Sequence, residues 1–326
     1  MPSINRVWNL AKKSQKKNFK KILSYDLGGT KVAVAVIDEQ GNILEEKRES
    51  VLLGDGPKGL LSQLARLGRP FVDQYRIRKA VIASAGPLDL VRGRLLNATN
   101  FKTDGKHWGV VPLVGPLQKK LGITVALEND AAAAALAEAW VGVGKKSQNL
   151  AVITLGTGVG VGVVANGELV RAGRFLHPEG GHLIIEHSEK SWLCGCGNYG
   201  CAEAFLSGMN FAKNMSRIWG EAGLSGHDLV VRGRAGEEKV LQAFAEYGER
   251  LATLMASLTV LFAPEVIVIA GGFSHASDLF LPSCEARLLE LMKGKRAGVD
   301  LLPKISISKF QDEAGLLGAA AVVFRK

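Results

Sequence analysis

Between Glu179 and Glu203 the chain sets one imidazole and three thiols close together: His182, Cys194, Cys196 and Cys201. One nitrogen and three sulfurs complete the tetrahedral donor set of a structural zinc site. Gly195, Gly197 and Gly200 lie among them, and the expectation is that they let the backbone turn tightly enough for the sulfurs to converge. Ordinary buried cysteines would scatter through a core rather than cluster among glycines. Glu179 precedes the histidine and Glu203 follows the last cysteine, adding two carboxylates that a closed metal site does not need. Acids so placed point to a polar ligand beside the metal.

Two further segments could do chemistry. Asp26-Leu27-Gly28-Gly29-Thr30-Lys31 and Leu155-Gly156-Thr157-Gly158 each offer backbone amides, a hydroxyl and little bulk, as a phosphate-cradling turn requires. One such turn could be a mere hairpin tip. Two equivalent ones, with Thr154 where the first has Asp26, suggest opposite sides of a nucleotide's phosphates. Neither matches the Walker pattern. Glu128-Asn129-Asp130 ends a strand-like run and opens an alanine-rich one, so Asn129 or Asp130 is an expected helix N-cap. A polar tip between strand and helix is where α/β folds place catalytic groups.

The elements that must position these residues repeat. Ile22–Tyr25 and Val32–Ile37 read as a hairpin closed by the turn through Asp38 to Asn42. A second copy runs through Ala151–Thr154 and Val159–Ala165 to the turn at Asn166-Gly167, offset by about 125 residues. The duplication implies two similar α/β halves facing one another. Between the copies lie buried strands at Ala80–Ser84 and Ile123–Leu127 and a helix at Ala131–Ala139. Helices over 204–219 and 238–262, a strand at Val266–Ala270 running into Gly271-Gly272, and a closely packing last helix at Glu313–Arg325 complete the expectation.

Composition bounds the rest. A chain of 326 residues exceeds the usual single core, so two domains are expected. No uninterrupted apolar run reaches the roughly 18 residues of a membrane span, and no apolar leader precedes a cleavage site, so a soluble cytoplasmic protein is expected. With three of four cysteines in the cluster, Cys284 reads as an inert thiol in a reducing compartment. The net charge of +10 resembles a nucleic-acid signature until it is located: the first 21 residues hold seven lysines and arginines and no acid. That stretch could form a helix with Ile4, Val7, Trp8 and Ala11 on one stripe, but a solvated extension is the simpler reading.

Taken together, Asp26-x-Gly-Gly-Thr-Lys31, Glu128-Asn129-Asp130-Ala131, Leu155-Gly-Thr-Gly158, Glu179-x-Gly-His182, Cys194-Gly-Cys196-Gly with Cys201-x-Glu203, and Ala270-Gly-Gly272 resemble the ROK family of sugar kinases and sugar-responsive repressors. The likeness spans residues 22 to about 322. It implies an α/β fold of two actin-like ATPase (ribonuclease H-like) domains with the active-site cleft between them and a zinc-binding loop in the second. The corresponding boundaries are a basic extension over 1–20, a small domain over 21–127 plus 310–326, and a large domain over 128–309.

The resemblance further implies ATP-dependent phosphorylation of a hexose hydroxyl, glucose to glucose 6-phosphate first among them, with Asp130 as general base. Asn129, Glu179, His182 and Glu203, with Thr99 or Asn100, resemble sugar contacts. Asp26, Gly28, Gly29, Thr30, Lys31, Gly156, Thr157 and Gly158 resemble the ATP-phosphate and Mg²⁺ region, and Gly271 and Gly272 the adenosine contact. His182, Cys194, Cys196 and Cys201 would hold Zn²⁺. Two departures lie near the expected sugar pocket: Ser84-Ala85-Gly86-Pro87-Leu88, where the family often has Gly-x-Pro-Gly, and Pro178-Glu179-Gly180-Gly181-His182, with glycine where a bulkier apolar residue is common. Fructose, mannose and N-acetylhexosamines therefore remain alternatives to glucose. A sugar-responsive regulator would need a DNA-binding module, which the residues before the first strand are too few to form, so no specific nucleic-acid partner is expected. A homodimer is the expected assembly.

Overall fold

The computed structural model describes residues 20–96, 101–171, 173, 178–187, 191–293 and 301–325. Thr99, Asn100 and the basic extension up to residue 19 lie outside the described residues. The chain forms two compact units, one ending at Ala133 and resuming at Gly315, the other running from Ala134 to Ala314.

The first unit is built on β1 (Lys21–Leu27), β2 (Lys31–Asp38), β3 (Ile43–Ser50) and β4 (Lys79–Ser84). A small sheet follows from β5 (Leu88–Asp89), β6 (Arg94–Leu96) and β9 (Val110–Pro112), with a hairpin of β7 (Lys102–Thr103) and β8 (Lys106–His107) between. β10 (Thr124–Asn129) completes a five-stranded sheet ordered β10-β4-β1-β2-β3, in which β10, β4 and β1 are parallel and β2 and β3 antiparallel. The apolar runs of β1, β2 and β4 are buried on both faces, as continuous rather than alternating hydrophobicity requires. β3 is an edge strand rich in Glu, Lys and Arg, a composition that discourages pairing with foreign strands.

Helix α1 (Gly56–Tyr75) lays Leu60, Leu64, Leu67 and Phe71 on the sheet. Each such side chain, fully removed from water, contributes about 1.5–3 kcal/mol. Gln63 and Arg66 hold the charged edge: Gln63 Nε2 donates to the Ser50 carbonyl at 2.8 Å and Arg66 Nη1 to Glu49 Oε1 at 3.1 Å. Helix α2 (Val114–Leu121) adds Leu117 and Leu121 to the same core. α3 (Asp130–Trp140) follows β10 without a break.

The second unit repeats the plan. β11 (Leu150–Leu155), β12 (Val159–Ala165), β13 (Glu168–Leu169), β14 (Val266–Ala270) and β15 (Lys304–Ile307) form a sheet ordered β13-β12-β11-β14-β15. β11, β14 and β15 are parallel and β12 and β13 antiparallel, matching the first sheet strand for strand. The predicted internal duplication is thus a duplication of topology. The copies differ at the hairpin: four residues separate paired Leu27 and Val32, and three separate Leu155 and Val159.

Helices α4 (Ala202–Leu206), α5 (Gly208–Trp219), α6 (Gly226–Arg234), α7 (Glu238–Phe262) and α8 (Ser277–Met292) pack in this unit, and α9 (Ala314–Phe324) returns the chain to the first. The single helix expected over 204–219 is two. Ser207 is extended (φ −70°, ψ 138°), and its hydroxyl accepts from Asn210 N–H at 3.2 Å, capping α5. Beneath lies an aromatic cluster of Phe211, Phe244, Tyr247, Phe273 and Phe280, with Tyr247 Oη donating to the Leu206 carbonyl at 2.7 Å. Among the described residues no helix is long and apolar enough to cross a membrane.

Candidate active site

In the first unit, strand register brings the polar tips to one edge. Asp26 on β1 lies level with Ala83 on β4, which lies level with Glu128 on β10, and one residue on, Leu27, Ser84 and Asn129 are in line. The Gly28–Lys31 turn, the Ala85–Pro87 loop and the start of α3 therefore leave from the same carboxyl end of three parallel strands, where open α/β sheets bind ligands.

At the β10–α3 junction Asn129 is the N-cap: its Oδ1 accepts from Ala132 N–H at 3.0 Å, and its Nδ2 donates to Asp130 Oδ1 at 2.9 Å. The same Asp130 oxygen accepts from Ala131 N–H at 2.8 Å. Asn129 is buried and Asp130 exposed, so a rigid amide and the first helical turn hold a carboxylate out toward solvent. Glu128 is buried directly behind, accepting from Asn129 N–H at 3.0 Å.

The β1–β2 turn is closed by Gly28 N–H donating to the Lys31 carbonyl at 3.0 Å, with Thr30 and Lys31 exposed. Asp26 faces the amino end of α9: a Cβ on Gly315 would lie 2.3 Å from its Cγ. The helix dipole favours a carboxylate there. Gly315 was not foreseen from sequence, because its constraint comes from a residue nearly the whole chain away. Farther along α9, a Cβ on Gly318 would come within 2.1 Å of the Ala133 carbonyl oxygen, so α3 and α9 touch backbone to backbone. This is the close packing expected of the last helix.

In the second unit, the β11–β12 turn is closed by Gly156 N–H donating to the Gly158 carbonyl at 3.0 Å, with Thr157 exposed at its tip. Thr154 Oγ1 accepts from Gly160 N–H at 3.1 Å, so it braces the hairpin from inside. Gly271 has φ +85°, and a Cβ there would lie 2.4 Å from the Leu155 carbonyl oxygen; only glycine fits. Gly271 thus lies against Leu155 at the start of the 155–158 turn, with Gly272 next to it in sequence. Sequence reading missed Gly208, whose N–H donates to the Gly156 carbonyl at 2.9 Å and brings the start of α5 to the same turn.

The loop that carries His182 and the three cysteines packs on the start of β12. A 3-10 turn at Gly180–His182 follows Glu179, which is exposed, and Cβ atoms on Gly180 and Gly181 would strike Val161 and the Val159 carbonyl oxygen. Both glycines are therefore places where the loop backbone lies close against β12. His182, Cys194, Cys196 and Cys201 place their donor atoms within 4.8 Å of one another. His182 Nδ1 lies 3.6 Å from Cys194 Sγ, and Cys196 Sγ lies 3.6 Å from Cys201 Sγ. A tetrahedral zinc with ordinary bond lengths separates sulfurs by about 3.8 Å and a sulfur from a nitrogen by about 3.6 Å. The donor set fits.

Of the loop glycines, Gly197 (φ +93°) and Gly200 (φ +82°) do require glycine, whereas Gly195 has neither a positive φ nor a described neighbour where a Cβ would go, against the expectation that all three were needed. Glu203, in the first turn of α4, accepts from Val159 N–H at 3.0 Å through Oε2, and its Oε1 lies 3.7 Å from Cys194 Sγ. Cys284 is not part of the donor set: its Sγ lies 3.6 Å from Met255 Sδ, and burial pushes its thiol up to about 12, which agrees with the expectation of an inert thiol.

The chain aligns over 93% of its length and 97% of the relative's with a glucokinase of Thermotoga maritima at 29% identity. It aligns over 91% of its length with 96% of an N-acetyl-D-glucosamine kinase of Pectobacterium atrosepticum at 30% identity. Among solved structures, a ROK family glucokinase from Streptomyces griseus in complex with glucose and AMPPNP superposes with a TM-score of 0.76 at 27% identity, covering 92% of this chain and 98% of that one. The ROK family profile matches residues 22–326, and the chain belongs to the ROK family.

Proposed function

We propose that this protein transfers the γ-phosphoryl group of ATP to a hexose hydroxyl, with glucose as the first acceptor and glucose 6-phosphate as product. The observation that carries the reading is Asp130, an exposed carboxylate held in one direction by Asn129 and the first turn of α3, at the edge shared with the β1–β2 glycine turn. Asp130 takes the hydroxyl proton as the sugar oxygen bonds to phosphorus, the bond to the bridging oxygen breaks, and ADP leaves.

In this reading Gly28, Gly29, Thr30, Lys31, Gly156, Thr157 and Gly158 take the phosphates, and Gly271 and Gly272 the adenosine. Asp26 would hold the Mg²⁺ that accompanies ATP, and that ion would supply charge neutralisation. Asn129, Glu179, His182 and Glu203, with Thr99 or Asn100, pair with sugar hydroxyls, and analogues lacking a hydroxyl are rejected because these groups are then left unpaired. His182 meets Cys194 through Nδ1, so that nitrogen would take the zinc and Nε2 would be left to face a sugar oxygen. The three thiols hold the loop and make no sugar contact. The assembly we propose is a homodimer, to be checked by light scattering.

N-acetylglucosamine is the alternative acceptor, because relatives with glucokinase and N-acetylglucosamine kinase names match to the same degree. Fructose and mannose complete the panel. An ATP-coupled assay over these sugars tests the reading, and no turnover with any of them sinks it. Asp130→Asn should keep sugar affinity by calorimetry while kcat falls by about 10²- to 10⁴-fold; a variant that keeps its rate refutes the base assignment.

A further inference from the structure

We infer that Glu203, besides the sugar contact proposed above, ties the phosphate turn to the metal loop, so that displacing either one loosens the other. The inference rests on the metal and nucleotide readings of these two segments and adds a link between them.

Val159, the first residue of β12, is gripped from both ends of the loop. Its N–H donates to Glu203 Oε2 at 3.0 Å, and its carbonyl lies where a side chain on Gly181, the neighbour of His182, would go. Glu203 is two residues past the ligand Cys201, and its other oxygen lies 3.7 Å from Cys194 Sγ. A Cβ on Gly158 would come within 2.6 Å of Glu203 Oε2, so a side chain there would have to displace the carboxylate. Among the described residues β13 pairs β12 only at Val164 and Ala165, and at the level of Val159 it is Glu203 that meets the outward N–H. Glu203 supplies the acceptor a strand would have given. A carboxylate so held beside a metal loop orients the ligands next to it, and losing such partners usually lowers metal affinity by about 10- to 100-fold.

The test follows zinc release from the full chain to a colorimetric chelator. Gly158→Ala pushes the carboxylate off Val159, and zinc should leave about tenfold faster. Gly156→Ala in the same turn, where a Cβ meets no described atom within 4 Å, should release zinc at the wild-type rate. Glu203→Gln keeps an oxygen for the Val159 N–H and should stay near wild type, whereas Glu203→Ala should match Gly158→Ala. Wild-type release rates in both Gly158→Ala and Glu203→Ala overturn the link, as does equal acceleration in Gly156→Ala. Wild-type protein that purifies without zinc sinks the metal reading and the link with it, and leaves the kinase reading to its own assay.

Discussion

Replacing Gly318 by alanine tests the close crossing of α3 and α9. The added carbon would lie 2.1 Å from the Ala133 carbonyl oxygen and 2.3 Å from its carbon, and both are backbone atoms that no rotamer change can move. Restoring ordinary contact needs the helices to separate by roughly 1.3 Å. Overpacking of this kind costs about 1–3 kcal/mol, and a rigid backbone neighbour puts the cost at the upper end. Alanine returns about 1 kcal/mol through its higher helix propensity. The net loss is about 2 kcal/mol, or a fall of roughly 4–8 °C in the unfolding midpoint. Because α3 begins at Asp130 and α9 begins against Asp26, kcat should fall as well. Differential scanning calorimetry beside the ATP-coupled assay reads both. Gly115→Ala in α2, where no described atom obstructs a Cβ, is the control and should melt at or above the wild-type temperature. A Gly318→Ala protein that melts with Gly115→Ala would refute the packing argument.

Other consequences are as direct. Cys196 is the exposed member of the donor set, so Cys196→Ser should remove zinc without disturbing the core; metal analysis should fall from one zinc per chain to near none while the far-ultraviolet circular dichroism is kept. Glu138 is 1% exposed, and burial holds its carboxyl above the ordinary 4.5, partly offset by bonds from Ser308 and Val143 N–H. The folded state therefore binds more protons than the unfolded chain as pH rises past 4.5, and stability falls through that range. Glu138→Gln should melt above wild type at pH 8, with the gap closing by pH 4.5; a constant gap would show that charge is not the cause. Ser207→Ala removes the α5 cap and should cost about 1 kcal/mol in urea unfolding; an unchanged midpoint would show the cap to be idle.

The parts of the fold that were legible in the sequence are those written in local pattern. β1, β2, β11 and β12 announce themselves as apolar runs broken by glycine turns, and the Asp130 junction as a polar tip before alanines. β3 was not legible, because Glu-Glu-Lys-Arg-Glu carries no apolar alternation and its pairing is secured by Gln63 and Arg66 on α1. The break at Ser207 was hidden inside an apolar periodic stretch, where one serine looks like a tolerated helical residue. In the candidate site, residue types and spacing pointed to the cluster of His182 with three cysteines and to both glycine turns. The roles of Gly158, Gly315 and Glu203 were not legible, since each is set by an atom on a distant segment: Glu203 and Val159 are 44 residues apart.

The double duty of Ser207, ending α4 and opening α5, has a consequence for the length of the chain. Cys201 is fixed by the donor set, Glu203 by Val159, and Gly208 by the Gly156 carbonyl. An α-helix turns about 100° per residue, so one residue added or removed between 201 and 208 would swing one of these three anchors off its partner. Most side chains in this stretch could be exchanged for others of similar size. Its residue count could not, and in an insertion scan across the chain it should stand out as a gap in which no functional clone is recovered.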